Sequence, residues 1–141
     1  MTITTTTHLN FRGNARAALA FYQAAFDGQL TVVSYQDAGQ AASSEEADHV
    51  MWGQVTSASG FRVMAFDVPA SRAFHPGENA VFVAVAGSAA DDITGPWEKL
   101  ADGGTILQPL APAQWSPLYG MLKDRFGITW ILNVAGQGAA A

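Results

Sequence analysis

Hydrophobic and polar positions follow the same order twice along the chain. In the first copy, apolar side chains at Leu19, Tyr22 and Phe26 recur at helical spacing, and Asp27-Gly28 comes directly after them. An apolar run typical of a strand follows. Residues 97–104 again end on Asp and Gly, and they also lead into a short apolar run. The pattern predicts two tandem copies of one small α+β unit.

Each copy is predicted to run in the order strand, helix and three strands. Asn14 is placed to cap the first helix, and Gly28 fits the left-handed position after its end. Ser88 is the candidate cap of the second helix. Gly95-Pro96 is expected to interrupt that helix, because a proline inside a helix removes a hydrogen bond. The predicted strands cover 8–12, 30–36, 50–55, 61–66, 80–86, 105–108, 118–123 and 128–134, and the predicted loops cover 37–48 and 109–117.

Composition narrows the class of protein. The 141 residues are 49% hydrophobic and 13% charged, which predicts a single globular domain over residues 1–141. A net charge of −5 with seven scattered basic residues argues against nucleic acid as a partner. The absence of cysteine excludes disulfides and thiolate nucleophiles and fits the cytoplasm. No apolar run approaches the ~18–20 residues of a membrane span, so no membrane partner is expected.

Three segments together resemble a known superfamily: residues 11–22, with Phe-Arg-Gly-Asn and then Ala-Leu-Ala-Phe-Tyr, residues 63–67, and residues 124–130. They are similar to the PhnB-like branch of the vicinal oxygen chelate superfamily, which includes glyoxalase I, extradiol dioxygenases and bleomycin resistance proteins. The resemblance implies a glyoxalase-like α+β fold of two tandem βαβββ modules, at about 7–68 and 79–135. Each module would form an incurved mixed half-barrel sheet that holds a ligand, and a homodimer is expected.

The same resemblance indicates which positions of this chain would bind a metal if it had one. Active members of the superfamily hold a divalent metal with His, Glu or Gln from four strands. Here positions 63–65 and 81–85 carry no ligand, and Ile131 stands where the enzymes commonly have Glu. We therefore expect no cofactor. The alternative is a divalent metal in a glyoxalase, lyase or dioxygenase-type enzyme, with the candidate ligands His8, His49 and Asp67.

Aromatic residues are the better candidates for a binding site, because pockets are lined mainly by apolar and aromatic groups with a few polar ones. Trp130 is expected in the core, while Trp52 and Trp115 are open between core and pocket. The predicted pocket consists of Trp52, Gln54, Arg62, Phe66, Trp115 and Tyr119. The 37–48 loop is expected to be mobile at its mouth.

The sequence thus predicts a metal-free protein that binds a small aromatic or amphipathic molecule. No glycine-rich nucleotide motif supports the methyltransferase activity for which PhnB-like proteins are often named. Whether the protein is an enzyme stays open, and no catalytic residue is assigned.

Overall fold

The computed structural model describes residues 2–135, and the chain divides between Pro76 and Gly77 into two compact units. The first unit contains β1 (Thr7–Phe11), α1 (Ala15–Phe26), β2 (Gln29–Ser34), β3 (Val50–Thr56) and β4 (Arg62–Asp67). The second unit contains β5 (Val83–Gly87), α2 (Ala90–Ala101), β6 (Thr105–Ala113), β7 (Ser116–Lys123) and β8 (Thr129–Val134). The predicted βαβββ order is confirmed in both copies.

Each unit builds one open, four-stranded mixed sheet. The strand order is β1-β4-β3-β2 in the first unit and β5-β8-β7-β6 in the second. In both, the strand that precedes the helix pairs in parallel with the last strand of the unit, and the other pairs are antiparallel. The two sheets therefore have the same topology, as expected for a repeated unit.

One face of each sheet is covered by the helix of the same unit. Ala18, Leu19 and Tyr22 of α1 are fully buried. A Cβ at Gly53 on β3 would collide with the end of the Leu19 side chain, so glycine at this position lets Leu19 of α1 pack directly onto the strand. The second unit repeats the device at Gly120 on β7, where a Cβ would lie 2.7 Å from the indole of Trp97.

The predicted helix caps are wrong in detail. The Asn14 side chain makes no capping hydrogen bond, and the left-handed position after α1 is occupied by Asp27, with φ 52°, rather than by Gly28. Gly28 is needed for another reason, since a Cβ there would lie 2.9 Å from the carbonyl oxygen of Thr56. At α2, the Asp92 carboxylate accepts hydrogen bonds from the backbone N–H of Ser88 at 2.9 Å and of Ala89 at 3.0 Å.

The predicted break in the second helix is also wrong, since α2 continues through Gly95-Pro96. A proline ring clashes with the Cβ of the preceding helical residue, and glycine has no Cβ. Packing supports the helix on both sides of the proline, because Ile93, Trp97 and Leu100 are buried.

The predicted loop at 109–117 is a β-hairpin. β6 runs to Ala113, β7 begins at Ser116, and Trp115 lies in the short turn between them. The strand tolerates Pro109 and Pro112 because β6 is an edge strand, where a missing N–H need not break a ladder. Its pairing with β7 is irregular at several points. No helix within residues 2–135 is long and apolar enough to cross a membrane.

Candidate functional site

The first sheet has one face that α1 does not cover, which we call the open face. Gly53 and Val55 of β3 face α1, so Trp52 and Gln54 point to the open face. The β3–β4 register sets Gln54 opposite Met64 and Thr56 opposite Arg62, which continues the open face onto β4. The full set is His8, Asn10, Gln29, Thr31, Val33, Trp52, Gln54, Thr56, Arg62, Met64 and Phe66.

Four predicted pocket residues, Trp52, Gln54, Arg62 and Phe66, therefore share the open face. Trp52 is paired with Val33 of β2, and Phe66 lies two residues beyond Met64 along β4, so the apolar and aromatic groups gather at one end. Arg62 lies at the other end of β4, beside Thr56.

The polar groups of Arg62 and Gln54 have no protein partner within residues 2–135. Arg62 is exposed, and its guanidinium has no hydrogen bond, ion pair or ring contact within residues 2–135. Gln54 is half-buried and its side-chain amide likewise has no partner in the described part of the chain. Unsatisfied donors beside half-buried aromatic rings are typical of a binding surface.

His8 also lies on the open face, at its β1 edge. Its ring makes an edge-to-face contact with Phe66, with centroids 5.2 Å apart and planes at 79°. Its Nδ1 is 2.8 Å from the Asn10 side-chain oxygen. The imidazole is therefore held beside the aromatic end of the open face.

Asp67 points the other way, towards α1, and is 1% exposed. Its Oδ1 accepts hydrogen bonds from the backbone N–H of Gly13 at 2.7 Å and of Ala15 at 3.0 Å, and its Oδ2 accepts one from Val50 at 2.8 Å. The carboxylate thus caps the N-terminus of α1 from a strand distant in sequence.

The three candidate metal ligands do not fit a metal. His49 lies beside Gly13, where its Nε2 is 3.6 Å from the position of a Cβ, so it is on the Asp67 side of the sheet. His8 is on the opposite, open face, and backbone N–H groups occupy both oxygens of Asp67. Within residues 2–135, no group of three or more His, Cys, Asp or Glu residues could hold a metal ion.

The two remaining pocket candidates meet in the second unit. Trp115 is 61% exposed and contacts the ring of Tyr119 edge to face, with centroids 5.2 Å apart. Tyr119 alternates with Gly120 along β7, so it faces away from α2. Trp130 is fully buried, and its Nε1 donates to Oδ2 of Asp124 at 2.9 Å, which confirms the core prediction.

Other open-face residues were not predicted as part of the site. Met64 lies between Arg62 and Phe66 with the same alternation, and this spacing was the signal that could have found it. Thr31 and Val33 could not be assigned to this face from the sequence, because their assignment depends on the β2–β3 register. That register skips a residue between Val33 and Ser34, and no pattern in the sequence indicates it.

Comparison with known proteins agrees with this fold. Protein YjdN of Escherichia coli strain K12 is 27% identical over 138 residues, which cover 92% of this chain and 94% of YjdN. The crystal structure of PA1353 from Pseudomonas aeruginosa gives a TM-score of 0.81 at 25% identity, covering 96% of this chain and 100% of that one.

A protein from Bacillus cereus, described as a putative 3-demethylubiquinone-9 3-methyltransferase and PhnB protein, gives a TM-score of 0.72 at 28% identity, covering 94% and 100% of the two chains. A glyoxylase/bleomycin resistance protein/dioxygenase domain from Frankia is similar in fold alone, with a TM-score of 0.63 at 11% identity over 98% and 95% of the chains.

The tandem βαβββ units with open mixed sheets give the chain a glyoxalase-like fold. Residues 3–133 match the family described as 3-demethylubiquinone-9 3-methyltransferase. The chain belongs to this PhnB-like family.

Proposed function

We propose that the protein binds a small aromatic or amphipathic molecule on the open face and does so without a metal. The observation that carries the proposal is that Trp52, Gln54, Arg62 and Phe66 share one face of one sheet. Apolar rings at one end and unpaired polar groups at the other suit a ligand with two kinds of surface. In the second unit, the ring pair of Trp115 and Tyr119 is proposed as a further contact for an aromatic ligand, on the basis of the edge-to-face contact and the exposure of Trp115.

Binding is favoured over methyl transfer, the activity in the family description. A methyl-donor nucleotide commonly uses a glycine-rich turn and the N–H groups of a helix N-terminus. In this chain the Asp67 carboxylate accepts from the N–H groups of Gly13 and of Ala15, the first residue of α1. The Asp92 carboxylate lies in the first turn of α2 and accepts from the N–H groups of Ser88 and Ala89, just before the helix. Each helix N-terminus is therefore already occupied by a carboxylate of the chain itself.

The proposal extends to the assembly and location of the protein. A homodimer follows from the resemblance to the superfamily, and a cytoplasmic location is consistent with a chain that has no cysteine. Fractionation of cells that express the native chain tests the location.

Tryptophan fluorescence tests the binding proposal, because Trp52 lies on the open face while Trp97 and Trp130 are buried in the core. We expect at least one compound in a library of aromatic metabolites and antibiotics to change the emission saturably. This change in emission should disappear in Trp52→Phe. If it persists unaltered in Trp115→Phe, Trp115 does not contact the ligand. No saturable change with any compound would remove the support for binding.

The same titration separates the metal-dependent alternative. Protein dialysed against EDTA should bind with unchanged affinity, because Asp67 is engaged by backbone N–H groups. Binding that is lost with EDTA, is restored by a divalent cation and is abolished in His8→Ala would favour the enzyme instead.

A further inference from the structure

The open face differs in charge from the protein as a whole. The chain has 12 Asp and Glu residues and a net charge of −5. None of the open-face positions on β1 to β4 is an acidic residue, while Arg62 and His8 both lie there. A face that lacks carboxylates on an acidic protein favours an anionic ligand, because it removes the local repulsion that the rest of the surface would exert.

Arg62 has a different environment from three other arginines of the chain. Arg12 donates to the carbonyl oxygens of Val68 and Pro69, Arg16 donates to that of Asp48, and Arg125 forms an ion pair with Asp102. No such partner holds the Arg62 guanidinium within residues 2–135. Its donors are therefore available for a planar acid such as a carboxylate, which a guanidinium binds through two parallel hydrogen bonds.

The spacing along β4 defines the shape of the ligand. Arg62 and Phe66 are four residues apart on one strand, which separates their Cα atoms by about 13 Å. The half-buried side chain of Met64 lies between them on the same face. The surface between the cation and the rings is thus apolar at its centre.

We propose that the ligand of the open face is an aryl-alkanoate type of anion, with its acidic group at Arg62 and its ring packed against Trp52 and Phe66. The inference rests on the proposed binding function and adds the chemical class of the ligand. The apolar linker of such a molecule crosses Met64. The exposed position of Arg62 lets its side chain reach the acid without displacing a protein partner.

Calorimetric titration of the full chain with a matched series of compounds tests this assignment. The probes are phenylacetic, phenylbutyric, phenylhexanoic and phenyloctanoic acids and the corresponding ω-phenyl alcohols. We expect affinity to rise with chain length until the linker spans the distance to Arg62. The acids of sufficient length should bind at least about tenfold more tightly than their alcohols, and added salt should reduce that difference.

Variants test whether the acidic group of the ligand binds to Arg62. In Arg62→Gln the acids should bind no better than the alcohols, whereas Arg62→Lys should keep part of the preference. Arg16→Gln is the matched control, because Arg16 is an exposed arginine on α1, outside the open face, and it should keep the full preference. Trp52→Leu should weaken acids and alcohols alike.

The outcomes separate this inference from the binding proposal. If alcohols bind as tightly as acids, or if Arg62→Gln keeps the preference, the acidic ligand is wrong while binding stands. If no probe binds but another library compound changes the emission of Trp52, the aryl-alkanoate class is overturned. If nothing binds in either experiment, both proposals fail.

Discussion

At the scale of single residues, the Asp67 carboxylate joins two segments that are far from it in sequence, residues 13–15 and Val50. Its carboxylate binds the turn before α1, the first residue of α1 and the first residue of β3. Its own carbonyl oxygen accepts a hydrogen bond from the Tyr35 hydroxyl at 2.7 Å. The pKa of the Tyr35 hydroxyl is raised, first by burial and then by the negative charge of Asp67. Asp67 therefore holds α1, β3 and Tyr35 together on the helix-covered side of the first sheet.

Asp67→Asn is expected to lower the free energy of unfolding by about 1–3 kcal/mol. An asparagine amide can accept hydrogen bonds on its oxygen only, so its NH₂ group would face the N–H of Gly13 and Ala15 or that of Val50. Urea unfolding measures the change. The control is Asp48→Asn at an exposed position, and equal stability of the two variants would contradict the capping role of Asp67.

Single residues of the open face could be predicted from the sequence, because side chains alternate between the two faces of a strand. Trp52 with Gln54, and Arg62 with Phe66, each lie two or four residues apart, and this placed each pair on one face. That the two pairs share a face depends on the β3–β4 register, which only the structure gives. Asp67 could not be predicted as a helix cap, since its partners are distant in sequence and Asn14 offered a local alternative.

At the scale of elements, prolines explain where the predicted boundaries are wrong. Pro109 ended a predicted strand and Pro96 interrupted a predicted helix, yet β6 and α2 continue through them. Local rules assign a cost to each proline, and tertiary context offsets it: β6 is an edge strand, and Trp97 and Leu100 pack α2 onto its sheet. The order of elements was predictable because it follows from hydrophobic periodicity, which these prolines do not change.

At the pair Gly95-Pro96, we expect the substitution Gly95→Ala to have opposite effects on stability with and without the proline. Pro96→Ala should stabilise the protein by about 1–3 kcal/mol, because alanine restores the missing N–H in the interior of α2. Gly95→Ala in that background should add about 0.5–1 kcal/mol, since no atom apart from its chain neighbours and the backbone of α2 itself lies within 4 Å of the new Cβ.

In the presence of Pro96, Gly95→Ala should instead destabilise, because its Cβ meets the proline ring. Thermal unfolding of the wild type, the two single variants and the double variant forms a complete mutant cycle. If Gly95→Ala has the same effect with and without Pro96, the role of Gly95 in accommodating the proline is wrong.

At the scale of the whole molecule, β6 is the feature that suits assembly into the proposed homodimer. It is the edge strand of its sheet, and its side chains Ile106 and Leu107 remain 48% and 49% exposed. These neighbours point to opposite sides of the strand, so both sides of this edge present apolar surface. Pro109 and Pro112 lack the N–H groups that continuous strand pairing with further chains would need. They therefore favour a dimer contact over aggregation along this edge.

We expect light scattering to give twice the mass of the chain, and we expect Ile106→Lys to raise the dimer dissociation constant at least about tenfold by placing a charge in an apolar contact. Ile3→Lys is the matched control: Ile3 is 85% exposed and lies outside every strand and helix. A monomeric wild type would contradict the homodimer. A dimer that Ile106→Lys leaves intact would place the interface away from β6, because a lysine in a buried apolar contact cannot be accommodated without cost.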